Sequence, residues 1–152
     1  MNKNNIDWMI NSIILSNQTT QLGLKVGAVL VSSQNEIICS AYSGEESGAP
    51  WYTTLINKIR RQNIIQSHQL YLSINTLTED NSFHLSRLIN EIHINEIYIG
   101  LPDPMLDCYF ENDPVSKLDC VYRYPDELQC KILELNSQYY ACCPQSIKNS
   151  PF

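Results

Sequence analysis

The chain has 152 residues, 43% of them hydrophobic, and a formal net charge of -6 at pH 7. This length predicts a single domain, residues 1–152, whose core is large enough to fold without disulfides. The scattered lysines and arginines and the negative net charge argue against binding to duplex nucleic acid. The apolar stretch near the start is too short to span a bilayer and no cleavage site follows it, so we expect a cytoplasmic protein without a membrane partner.

The first third of the chain is predicted to form a helix followed by a β-hairpin. Apolar residues at helical spacing predict an amphipathic helix from Ile6 to about Leu15. Two β-rich runs between Lys25 and Glu45 are separated by the turn-forming residues 32–35 and predict two strands. Six apolar residues fall on alternate positions of these strands: Val26, Ala28, Leu30, Ile37, Cys39 and Ala41.

The rest of the chain alternates between predicted helices and strands. A second helix is expected from Trp51 to about Asn63, because Pro50 fits its first turn, and a buried strand from Leu70 to Ile74. The later predicted elements are a helix capped by Asp80 or Asn81 and running to Ile92, a strand from Glu96 to Gly100, a strand from Leu118 to Tyr124 and a helix from Pro125 to about Tyr140.

Residues 105–117 show no period and predict a loop, and residues 144–152 predict a loose tail. The alternation of strands and helices predicts a three-layer α/β/α domain around a central mixed sheet of about five strands.

Five segments, in order along the chain, resemble the cytidine-deaminase-like superfamily, especially its CMP/dCMP and riboflavin-biosynthesis (RibD-like) branch. They are the first helix, the hairpin ending in Tyr42-Ser43-Gly44-Glu45, the strand at residues 70–74, the segment at residues 97–104 and the closing Ile132-Leu133-Glu134-Leu135-Asn136. The strand that leads into Asp103-Pro104 is the most specific match, because it joins a strand end to the Asp-Pro turn of this branch. The resemblance implies a cytidine-deaminase-like fold and a role in nucleotide metabolism.

Deaminases of this fold bind zinc through one His or Cys and two Cys, and a nearby Glu moves protons between the zinc-bound water and the leaving amine. The resemblance places the His and the Glu at the start of the second helix, where two alignments are open. In one, Trp51 stands for the His and Thr53 for the Glu; in the other, Ala49 stands for the His and Trp51 for the Glu. Neither alignment supplies a metal ligand or a proton shuttle.

The two cysteines of the family site belong after the strand at residues 70–74 and at the start of the next helix. There Asn75 stands for a Glu and Leu77 for the first Cys, and His84 falls where the second Cys would lie. One candidate ligand does not hold zinc, since such a site needs three protein ligands and a water. We therefore predict that zinc has been lost and that no cofactor is bound.

The six cysteines, at positions 39, 108, 120, 130, 142 and 143, form no CxxC pair and are expected to be buried hydrophobes or inert thiols. Trp51, Tyr52 and Leu77 are expected to fill the space that metal and water would occupy. The alternative is an aromatic pocket for a small flat ligand.

Three functions follow from these patterns. The first is a catalytically inactive deaminase-fold protein that forms a homodimer, or a heteromer with a related protein as its non-catalytic partner. The second is a binding module for a nucleotide-like or pterin-like molecule. The third is a divergent deaminase, which would hydrolyse the C–N bond of a cyclic amidine in a rebuilt site. The residues considered for that rebuilt site are Glu45, Glu46, Glu79, Asp80 and His84.

Overall fold

The computed structural model describes residues 3–20, 23–64, 69–75, 94–102, 119–121 and 125–137. In chain order their helices and strands are α1 (Lys3–Ser16), β1 (Gly27–Val31), β2 (Ile37–Tyr42), α2 (Trp51–Arg61), β3 (Gln69–Asn75), β4 (Glu96–Pro102), β5 (Asp119–Val121) and α3 (Asp126–Leu135). The predicted helix after Asp80 or Asn81, the loop at residues 105–117 and the tail at residues 144–152 lie outside the described residues.

The strands form one mixed sheet in the order β2-β1-β3-β4-β5. β1 is antiparallel to both β2 and β3, whereas β3, β4 and β5 run parallel to one another. Four strands have five to seven residues, and β5 has three. The predicted mixed sheet is therefore confirmed.

Helices cover both faces of this sheet. One face packs against the apolar side of α2, including Leu55 and Ile59, and the other packs against α1 and α3 through Met9, Ile13 and Ile132. β1 is buried along its whole length because it lies between these two layers. The predicted three-layer α/β/α arrangement is confirmed. Among the described residues no helix is both long enough and apolar enough to cross a bilayer.

The buried face of α1 differs from the apolar stripe that its sequence shows. Ile10 and Ile14 belong to that stripe but are 37% and 56% exposed, whereas Ser12 and Ser16 are almost completely buried. The Ser12 hydroxyl donates to the Met9 carbonyl at 2.8 Å, and the Ser16 hydroxyl donates to the Ile13 carbonyl at 2.6 Å. These bonds within the helix satisfy both hydroxyls, so burying them costs little.

Small residues are required on this face because α1 lies directly on Gly27 of β1. A Cβ atom added to Gly27 would stand 1.8 Å from the Ser12 carbonyl oxygen. The Gly27 amide also donates to the Ser73 hydroxyl at 3.0 Å, which ties the start of β1 to β3. The missing side chain therefore sets how closely α1 approaches the sheet.

The β1–β2 hairpin contains an irregularity that the alternating pattern does not show. Leu30 pairs with Cys39 and Val31 pairs with Ile37, so Ile38 is an extra residue in β2. Ile38 packs against the core, whereas Ile37 is 46% exposed. Such a bulge on an edge strand hinders pairing with another chain.

The last described helix, α3, ends at Leu135, where Asn136 is its C-cap residue. The sequence predicts that this helix extends to about Tyr140, and residues 138–140 lie outside the described residues. Asn136 is buried, and its Oδ1 accepts a hydrogen bond from the Lys25 amide at 2.6 Å. Its Nδ2 donates to the Ile132 carbonyl at 2.9 Å. This side chain fastens the end of α3 to the residues that lead into β1.

We expect Gly27→Ala to lower the free energy of unfolding by about 3 kcal/mol, because the added methyl group meets main-chain atoms of α1. Gly48→Ala is the matched control: Gly48 has a φ of +73° but open space around it, so its loss should be about 1 kcal/mol. Urea denaturation followed by circular dichroism measures both. Equal losses for the two variants would contradict the close approach of α1.

Candidate functional site

The residues aligned with the first half of the deaminase site lie at one edge of the sheet, meaning the end at which β2 and β3 finish and β1 begins. β2 ends at Tyr42, which pairs with Gly27 at the start of β1. The Ser43 amide then donates to the Val26 carbonyl at 2.9 Å, and the Val26 amide donates to the Ser43 hydroxyl at 3.0 Å. Because β3 is antiparallel to β1, its last residue, Asn75, lies at this same edge.

The loop at residues 43–50 carries the chain from β2 into α2. Gly44 and Gly48 have φ angles of +82° and +73°, which glycine adopts without strain. The Gly44 amide donates to the Ala49 carbonyl at 3.1 Å and closes the loop. Pro50 then caps α2 without a side-chain hydrogen bond to the helix. This geometry brings Ala49, Trp51, Tyr52 and Thr53 to the sheet edge.

Trp51 is a core residue at the first position of α2. Its side chain is 3% exposed and belongs to the same apolar cluster as Leu55 and Leu72. Tyr52 is partly buried against this cluster, and its ring meets the Trp51 ring edge to face at 5.7 Å. The start of α2 is thus packed with aromatic carbon.

The described residues at this edge do not fit a zinc ion. Ala49 and Trp51 carry no ligand atom, and the hydroxyl of Thr53 is not a zinc ligand of the usual kind. Thr54, which no sequence pattern indicated, is buried, and its Oγ1 has no hydrogen-bond partner within the described part of the chain. This atom is a hydroxyl oxygen, which is not a usual zinc ligand, so it does not contribute to a zinc site. Leu77 and His84 lie outside the described residues.

The described residues contain no group of three or more His, Cys, Asp or Glu that could hold a metal ion. Glu45 and Glu46, both considered for a rebuilt site, form ion pairs with Lys58 and Arg61. Lys58 is about two helical turns beyond Trp51 and also donates to the Ser40 carbonyl at 2.7 Å. The two glutamates therefore fasten the loop at residues 43–50 to α2.

These ion pairs border a separate surface cavity of about 530 Å³ between β2 and α2. Cys39 lines this cavity but is only 5% exposed. Burial raises the pKa of its thiol, although the positive charge of Lys58 acts in the opposite direction. A thiol in this state is a poor nucleophile at neutral pH, as expected for a structural cysteine.

The chain has a cytidine-deaminase-like fold, which comparison with solved structures shows. It matches a diaminohydroxyphosphoribosylaminopyrimidine deaminase/5-amino-6-(5-phosphoribosylamino)uracil reductase from Thermotoga maritima with a TM-score of 0.67 and 17% identity. The match covers 90% of this chain but only 40% of that protein. The fold implied by the sequence resemblance is confirmed.

Two smaller proteins of this fold match over most of their own length. One is a mutant of NE0047 in complex with 8-azaguanine, with a TM-score of 0.63, 8% identity and coverage of 91% of this chain and 85% of that one. The other comes from work on A-to-I editing by tRNA deaminases at the wobble position, with a TM-score of 0.56, 16% identity and coverage of 85% and 98%. No protein-family model and no curated protein matches the sequence.

We expect Trp51→Ala to lower the free energy of unfolding by about 3–5 kcal/mol, because it leaves a cavity beneath the start of α2. Trp51→Phe keeps an aromatic ring in place and should cost less. Thermal and urea denaturation measure the losses. If Trp51→Ala were as stable as the parent protein, the indole would not be part of the core.

Proposed function

We propose that this protein is a catalytically inactive member of the deaminase fold that acts by association, foremost with a second copy of itself. The observation that carries the proposal is the buried Trp51 at the first position of α2. In the alignments to deaminases this position corresponds to the metal-binding His or to the proton-transferring Glu. Neither role is open to an indole side chain in an apolar cluster.

The replacement of polar, metal-binding groups by apolar side chains supports the loss of catalysis. A deaminase needs a polar pocket that admits the metal, a water and the substrate base. Here the Trp51 and Tyr52 rings pack edge to face, and Thr54 Oγ1 is left without a hydrogen-bond partner among the described residues. We propose that the apolar core has extended into the former site and that zinc is not bound.

Burial of Trp51 also bears on the alternative role of stacking a nucleotide-like or pterin-like ligand. A ring that is 3% exposed presents almost no face to a ligand, so binding there would require Trp51 to leave the core. Moving a large aromatic ring out of the core sacrifices much of the stability that its burial supplies. We therefore favour association over small-molecule binding at this edge.

The surface that we propose for association is the outer side of α1. Ile10 and Ile14 lie one turn apart, so their side chains are neighbours on the helix, and both are exposed. A second copy could cover these two side chains with its own α1. The open side of the outermost strand, β2, is less suitable for association. The bulge at Ile38 and the bond from Lys58 to the Ser40 carbonyl both lie on this strand.

The loss of catalysis is tested by metal analysis and by ammonia release. Protein purified without chelators should contain zinc well below one ion per chain. It should release no ammonia above background from amino-substituted nucleobases, nucleosides and nucleotides, while an active zinc deaminase assayed in parallel does. One chelator-sensitive zinc per chain, or turnover of any of these substrates, would contradict the proposal.

The association is tested by light scattering coupled to size-exclusion chromatography. We expect the parent chain to elute with the mass of two copies and Ile14→Lys to elute as a single copy, because a buried lysine would oppose the contact. Ile37→Lys is the matched control, since Ile37 is a similarly exposed isoleucine on β2 and its replacement should leave the dimer intact. A parent chain that stays monomeric at high concentration would rule out self-association, as would a dimer unaffected by Ile14→Lys.

A further inference from the structure

A polar cavity of about 330 Å³ lies at the sheet edge opposite Trp51, where β1 ends and β3 and β4 begin. This volume is at the lower end of the range of small-molecule sites, about 300–1,000 Å³. Besides two serines of the β1–β2 turn, its described lining side chains are Asn4, Asn5, Asn35, Gln69, Asn95 and Glu96. These are five carboxamides and one carboxylate, an unusually uniform set of planar polar groups.

A network of hydrogen bonds holds part of this lining in place. The single proton of the Tyr71 hydroxyl is shared between two acceptors, Asn5 Oδ1 at 3.2 Å and Gln69 Oε1 at 3.1 Å. Gln69 Nε2 donates to Glu96 Oε2 at 3.2 Å, and the Tyr98 hydroxyl donates to the same oxygen. Three lining side chains are therefore oriented from behind by two tyrosines.

Parallel pairing of β3 with β4 creates this arrangement. The register places Gln69 beside Glu96 and Tyr71 beside Tyr98. The two tyrosine rings are buried and stack with centroids 4.6 Å apart. Burial raises the pKa of both hydroxyls, that of Tyr98 to about 12 with a further contribution from its bond to Glu96. Both phenols therefore remain protonated at neutral pH.

Several hydrogen-bonding groups at the cavity remain unused within the described residues. Glu96 Oε1 accepts no bond there, since both bonds to this carboxylate go to Oε2. Gln69 Nε2 has a second N–H beyond the one it gives to Glu96. Asn35 accepts a bond from Trp8 Nε1 at 2.7 Å through Oδ1, which leaves its Nδ2 group as a donor. Among the described residues, the cavity lining therefore has one carboxylate acceptor, Glu96 Oε1, and two amide donors, on Gln69 and Asn35.

We propose that this cavity binds a small neutral polyol, such as a free monosaccharide or a cyclitol. A hydroxyl group both donates and accepts, so the several hydroxyls of a polyol can donate to Glu96 Oε1 and accept from the Gln69 and Asn35 amides. An anion would meet the Glu96 carboxylate in a chain whose net charge is already -6. A hard metal cation would need the carboxamide oxygens, but those of Asn35, Asn5 and Gln69 face the Trp8 N–H and the Tyr71 hydroxyl. The hydrogen bonds from the two tyrosines lower the entropic cost of binding, because they order three of the lining side chains beforehand.

The probes are myo-inositol, D-ribose and D-glucose, titrated at millimolar concentration into the ¹⁵N-labelled full chain. We expect saturable shifts of the side-chain amide signals of Asn35 and Gln69 and of the Trp8 indole signal with at least one probe. Glu96→Gln should weaken that binding by at least about tenfold, through loss of a charge-assisted acceptor. Glu134→Gln is the control, since Glu134 is an exposed carboxylate on α3, and it should bind as the parent does.

Asn35→Asp is a second variant in case Glu96→Gln disturbs the hydrogen bonds that Tyr98 and Gln69 donate to this carboxylate. It keeps an oxygen for Trp8 and suits the left-handed backbone at this position, φ +62°, but removes the amide donor, so it should also weaken binding. The absence of saturable shifts with all three polyols would overturn the proposal. So would binding that is unchanged in both variants, or saturation by calcium chloride alone, which would mark a cation site.

Discussion

The close contact between α1 and Gly27 is the constraint on which the rest of the structure depends. Because Gly27 has no side chain, the Ser12 carbonyl can approach the start of β1, and Ser12 and Ser16 share the buried side of the helix with Met9 and Ile13. β1 is the strand that receives α1 on one face and the α2 cluster on the other. The position of this strand therefore sets the positions of both helical layers.

The same packing determines what α1 presents outward. With Ser12 and Ser16 turned to the sheet, Ile10 and Ile14 are left at the surface although they belong to the most apolar stripe of the helix. An exposed pair of large aliphatic side chains gains free energy from burial by a partner. The close approach of α1 to the sheet places serines against it and leaves two isoleucines on the outer side of the helix. This packing is the physical reason for the proposed association surface.

The two edges of the sheet have different chemical characters. At the edge where β3 ends, Trp51 and Tyr52 place aromatic carbon at the start of α2, where a deaminase of this fold would keep a polar pocket. At the other edge, stacked tyrosines support carboxamides and a carboxylate around a cavity. A fold shared with deaminases does not by itself define the function, which depends on the residues at each site. The proposals for both edges rest on those residues rather than on the fold.

Local sequence patterns were sufficient to predict the α/β alternation and the mixed sheet, because helices and strands have different apolar periods. The cytidine-deaminase-like fold was implied by the resemblance of five segments to that superfamily. The sequence alone also placed Trp51 at the start of α2, since Pro50 marks the beginning of that helix. Only the tertiary structure decided that Ser12 and Ser16 face the sheet, because periodicity does not tell how closely a helix approaches a strand. Only the tertiary structure revealed the hydrogen bond between Gln69 and Glu96. These residues are 27 positions apart in the chain and meet only through strand register. Register depends on long-range pairing, so no local pattern in the sequence contains it.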